Sequence, residues 1–122
     1  MIDEPSTHVE EGAGARWVTE VENAMYLEEQ DFLSLAAYNA GSVPIGDGEF
    51  QATADLTPVV GGPGVRLHLV SYSQAGGPVP VHTLFGFGVA NLRRYLSPGE
   101  YTIHAWLPAE LGGGDVHTRV TI

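Results

Sequence analysis

Histidines are the residues of this chain best suited to binding a metal or moving a proton near neutral pH. Four of the five, His68, His82, His104 and His117, fall in stretches that read as strands. Two of them should meet. Alternation puts Tyr101, Ile103 and Ala105 on one face of a strand, and Val116, Thr118, Val120 and Ile122 on the matching face of the next. With Ala105 opposite Val116, His104 lies beside His117 and Thr102 beside Arg119 on the outer face. Adjacent imidazoles can bind a metal, but zinc takes three or four ligands and this reading supplies two. The pair therefore reads as two surface histidines, with no metal and no cofactor expected.

Other chemistries find less. Asp47, Glu49 and Asp55 lack the Asp-x-Asp-x-Asp-Gly run that would collect six to eight oxygens around calcium. No two carboxylates are placed for glycoside chemistry. Ser34, Ser71 and Ser73 lack the Gly-x-Ser-x-Gly context of a nucleophile elbow. Gly86-Phe87-Gly88 has neither the third glycine nor the following helix of a phosphate loop. No catalytic set is assembled, and the chain is expected not to be an enzyme.

Recognition is the better prospect. Trp17, Tyr72, Tyr95 and Trp106 are the aromatics most able to reach a surface, and Trp106 shares the outward parity of His104. Aromatic side chains anchor protein interfaces and also serve as platforms for sugars. The second recognition element is charge. Fifteen acids face five arginines and no lysine, for a net charge of −10. Residues 1–31 hold nine of the acids against Arg16 alone, a net of −8, and the other 91 residues carry only −2. Such a chain repels phosphate backbones, which argues against nucleic acid. An acidic block can instead meet a basic protein surface. The candidate partner-binding residues are Asp3, Glu4, Glu10 and Glu11 on the acidic arm, with Trp17, His104, Trp106, His117 and Arg119.

The elements that position these residues are short. Sixteen glycines and eight prolines in 122 residues favour many strands joined by turns. There is no cysteine, so packing must hold the fold without disulfides. No run of 18 apolar residues spans a membrane, and Met1 to Pro5 has no basic flank or apolar stretch of a secretory signal. Synthesis in the cytoplasm is expected.

Residues 1–15 read as an extended acidic arm, because little there can bury. Residues 16–122 read as one β domain. A first strand runs over Trp17 to Glu22, extending to Met25-Tyr26-Leu27, and a second over Phe32 to Tyr38. Residues 23–40 could alternatively form a helix capped by Asn23, although their polar run leaves no clean apolar stripe. Further strands are expected at Glu49–Leu56, Val65–Tyr72 and Val81–Val89, then one helical turn near Asn91–Leu96 and the last hairpin. Gly86 and Gly88 suggest a bulge or the close approach of another backbone. Seven or eight strands with turns every eight to twelve residues is what an all-β antiparallel sandwich produces.

One stretch is more specific. Leu96-Ser97-Pro98-Gly99-Glu100-Tyr101, followed by alternating Thr102-Ile103-His104-Ala105, resembles the tyrosine corner of immunoglobulin-like and fibronectin-like β-sandwiches. The resemblance implies that the Tyr101 hydroxyl turns back onto upstream backbone, with Leu96 and Pro98 shaping the turn. More loosely, a compact domain with an acidic arm resembles capsid decoration or accessory proteins of bacteriophage virions. That implies a non-enzymatic structural protein, ending in a virion, which docks on a protein partner, a further copy of itself, a capsid or another large assembly. A carbohydrate-binding module using the surface aromatics is the alternative.

Overall fold

The computed structural model describes residues 12–18, 31–73 and 76–122. The described residues form seven strands: β1 (Ala15–Trp17), β2 (Phe32–Asn39), β3 (Gln51–Pro58), β4 (Val65–Tyr72), β5 (Leu84–Ala90), β6 (Glu100–Trp106) and β7 (Asp115–Thr121). Single 3₁₀ turns, Leu92–Arg94 and Ala109–Leu111, interrupt the β5–β6 and β6–β7 connections. None of the described helices is long and apolar enough to cross a membrane.

Alternating apolar residues decide what faces inward. Ala52, Ala54 and Leu56 of β3, Leu67 and Leu69 of β4, and Ile103 and Ala105 of β6 are all buried, and the residues that alternate with them are not. β2 departs from the pattern. Leu33, Leu35 and Ala37 fill the core, while Ser34 is covered on the other side by Tyr72, to whose hydroxyl it is hydrogen-bonded. Phe87, fully buried on β5, stands at the centre against Phe85 and Trp17.

All the pairings are antiparallel and form one sheet of order β1-β2-β5-β4-β3-β6-β7. Where the turn spacing leads one to expect two separate sheets, the ladder is continuous. β4 causes this, pairing along Val65–Val70 with β3 and through Val70, Ser71 and Tyr72 with β5. The sheet curls until its ends nearly meet, giving a barrel-like body. The Trp17 indole Nε1 donates to the Gly114 carbonyl at 3.0 Å, joining the β1 edge to the loop that enters β7.

Several expectations shift in detail. Trp17 is the last residue of β1, Val18 follows it outside the strand, and residues 19–27 of that expected strand, with the helical alternative for 23–30, lie outside the described residues. Residues 31–39 are extended, not helical. His82 is in a turn at φ 58°, before β5 begins, and its backbone N–H donates to the Asn39 carbonyl. At Gly86 and Gly88 the close approach comes mainly from rings: an added Cβ would lie 2.6 Å from Tyr72 and 2.4 Å from Phe32. Those rings pack edge to face over the glycines, so glycine here makes room for an aromatic cover and no bulge is needed.

Residues 12–15, assigned to the arm from composition, are bound to the body. Gly12 N–H donates to Ser42 Oγ at 2.7 Å, Ser42 N–H to the Gly12 carbonyl, and Ala40 N–H to the Gly14 carbonyl. Behind them Asn39, fully buried at the end of β2, donates through Nδ2 to the carbonyls of Val43, Val79 and Pro80 and accepts from Gly41 N–H. One side chain thus ties together two loops, the β2–β3 and β4–β5 connections, by bonding their backbone groups.

Candidate functional site

The corner from Leu96 to Tyr101 is closed by one side-chain hydrogen bond. Tyr101 is 6% exposed and its hydroxyl donates to the Ser97 carbonyl at 2.7 Å. Leu96 is buried beneath it, and Pro98 is exposed at the turn. Gly99 and Ile122 exchange backbone hydrogen bonds, which lock the corner to the end of β7. The consequence is a fixed register for the last hairpin. Ala105 pairs with Val116, His104 with His117, and Thr102 with Arg119.

That register continues across the outer face. One row runs His117–His104–Asp55–Arg66 over four adjacent strands, and the next runs Asp115–Trp106–Thr53–His68. The side chains in these rows pack on each other. The His104 ring lies 3.9 Å centroid to centroid from Trp106 on one side and 3.9 Å from His117 on the other, the latter pair stacked at 24°. His104 Nε2 and Asp115 Oδ2 are 2.9 Å apart, and His117 Nε2 is 3.9 Å from the same oxygen. An ionised carboxylate can only accept, so Nε2 of His104 carries the shared proton. The ring nitrogen beside Asp115 holds its carboxyl below the usual carboxylate range.

Two ion pairs bracket the stack. Arg66 grips Asp55 through Nε at 2.7 Å and Nη2 at 3.0 Å, and its guanidinium lies 5.9 Å from the Trp106 ring centre. The Arg66 hydrogen bond, foremost, lowers the Asp55 pKa. At the other end Arg119 Nη1 donates to Glu100 at 3.1 Å. Strands carry these groups, so rotation about side-chain bonds is the main freedom left to them.

Of the candidate residues, His104, Trp106, His117 and Arg119 lie on this face. Trp17 is elsewhere: half-buried, it packs edge to face on Phe87 and pins Gly114. Its link to the site is indirect, since Gly114 precedes Asp115. Asp3, Glu4, Glu10 and Glu11 lie outside the described residues. Sequence reasoning missed Asp115, Asp55 and Arg66 as members of the face. Parity carries the signal for Asp115: it is two residues before His117 and opens β7.

Two other surface features stand apart. A cleft of about 410 Å³ lies between the 58–65 and 95–101 segments, with Val60 and Tyr95 exposed at its rim. On β1 and β2, Arg16 covers the Tyr38 ring at 4.7 Å, and the Tyr38 hydroxyl bonds His82 Nδ1. Comparison with protein-family models, with curated proteins and with solved structures finds no match to this chain.

Proposed function

We propose that this protein is a non-enzymatic interaction module that docks on a larger assembly through the outer face of β4, β3, β6 and β7. The observation that carries the reading is the Trp106–His104–His117 stack held between the Arg66–Asp55 and Arg119–Glu100 pairs. Aromatic and arginine side chains are the usual anchors of protein interfaces. Here they are ordered before any partner arrives, which lowers the entropy cost of binding.

The assembly we propose is a virion, with the chain synthesised in the cytoplasm and carried on the particle as a decoration-type protein. The acidic block of residues 1–31 supports this, since its charge suits a basic surface at long range. We further read the barrel-like sheet as an immunoglobulin-like sandwich whose layers β4 joins. Lettered in chain order, the strands run A-B-E-D and then C-F-G, the order of a constant-type immunoglobulin domain. The Tyr101–Ser97 bond is the corner bond of such a fold.

A sugar platform is the weaker reading, because His104 lies against the Trp106 ring and Arg66 lies over it. Sedimentation of an extract from the native source is the test. The wild-type chain is expected with large particles, and a Trp106→Ala/Arg119→Glu double variant at the position of a free 13.0 kDa chain. Wild-type protein found only as the free chain, or a double variant that sediments with particles as well as wild type does, defeats the proposal. Retention on a polysaccharide that depends on Trp106 would favour the sugar reading.

A further inference from the structure

We propose that His104, Asp115 and His117 form a three-ligand site for a zinc-class divalent cation at the loop end of the β6–β7 hairpin. Their donor atoms all lie within 4.8 Å of one another. His104 and His117 are direct cross-strand partners, and Asp115 projects on the same side two residues before His117. A tetrahedral ion bound at about 2.0–2.1 Å needs donor atoms roughly 3.3 Å apart. The 2.9 Å and 3.9 Å separations from Asp115 Oδ2 straddle that value. Side-chain rotation therefore suffices, with no movement of the strands. His117, 71% exposed, is free to make that adjustment, whereas His104 is held between two rings.

The donor set selects the class of ion. Two imidazoles and one carboxylate suit zinc and its transition-metal neighbours, whereas calcium and magnesium call for more oxygens. Binding replaces the proton now shared by His104 Nε2 and Asp115 Oδ2, because a ligating imidazole must present a lone pair. Support from behind the ligands is also present. Trp106 backs the His104 ring, and the Trp17 indole fixes Gly114, which sets where Asp115 leaves the loop. Three protein ligands leave a fourth position open to water or to an outside donor, unlike a closed structural site. This inference does not depend on the docking proposal.

The test is zinc titration of the purified full-length chain by calorimetry at pH 7.5, with cobalt(II) absorption as a report on geometry. One ion per chain and the ligand-field bands of a four-coordinate N/O site are expected. His104→Ala, Asp115→Asn and His117→Ala should each weaken binding by about tenfold or more, at least the scale seen when outer-shell partners are lost. His68→Ala, a histidine on the same face two strands from His104, should bind as wild type does. Circular dichroism of each variant checks that it remains folded. No saturable binding, full affinity in folded His117→Ala, or an equal loss in His68→Ala would overturn the site.

Discussion

The hydroxyl of Tyr101 is a buried donor whose acceptor, the Ser97 carbonyl, is four residues upstream. Replacing it with phenylalanine keeps the ring packing and strands the acceptor, so Tyr101→Phe should cost about 1–3 kcal/mol. Urea denaturation measures this directly, and an unchanged midpoint would mean that the bond does not hold the corner. Asn39 is the more demanding case. Asn39→Ala removes the donor for three carbonyls and the acceptor for Gly41 at once, and the loss should exceed that of Tyr101→Phe in the same assay. Sequence alone signalled Tyr101 because a turn, a tyrosine and an alternating strand occur in fixed order. It hid Asn39, because a turn-forming asparagine and a buried, fully bonded one have the same local neighbours.

Pairs across strands explain what was legible among the elements. The β6–β7 register could be read because both strands alternate cleanly, and a slip of one residue would turn every apolar side chain outward. Asp115 was missed for a complementary reason. It follows three glycines, and aspartate is depleted in strands, so propensity places it in the loop. The double pairing of β4 was illegible as well: period-two alternation says which face a residue takes but not which strand lies beside it. The same face gives a pH prediction. Asp55 and Asp115 have depressed pKa values when folded, so their contribution to stability is complete above the ordinary carboxylate value. It fades as pH falls through the lowered value. Thermal melts should therefore show no effect of these pairs from about pH 5 to 8 and a decline below about pH 4. Asp55→Asn should soften that decline. The effect is small because solvent screens both pairs, and an Asp55→Asn melt that parallels wild type across the acid range would remove Asp55 as a contributor.

The closure of the whole sheet depends on its shortest strand. β1 has three residues, too few to hold by its ladder alone, and it gains its place through Trp17, which packs on Phe87 and reaches Gly114 across the opening. Residues 12–14 extend that grip along Ala40–Ser42. Composition does not signal these contacts, because glycine and alanine offer little side chain to bury and it is backbone hydrogen bonds that hold this segment. Two truncations separate the roles. Deleting residues 1–11 removes Asp3, Glu4, Glu10 and Glu11 and none of these contacts, so the melting temperature should stay close to that of the full chain. Deleting residues 1–17 also removes Trp17 and β1, and should cost about 3 kcal/mol or more, the scale of losing a large core aromatic. That corresponds to a fall of several degrees or more in the thermal midpoint for a domain of this size. Equal destabilisation by both truncations would show that residues 1–11 belong to the folded body. No effect of either would show that the sheet holds its curl without Trp17. If the first truncation melts like the full chain and no longer sediments with the native assembly, stability and docking are assigned to different parts of the N-terminal segment, with the division falling between Glu11 and Gly12.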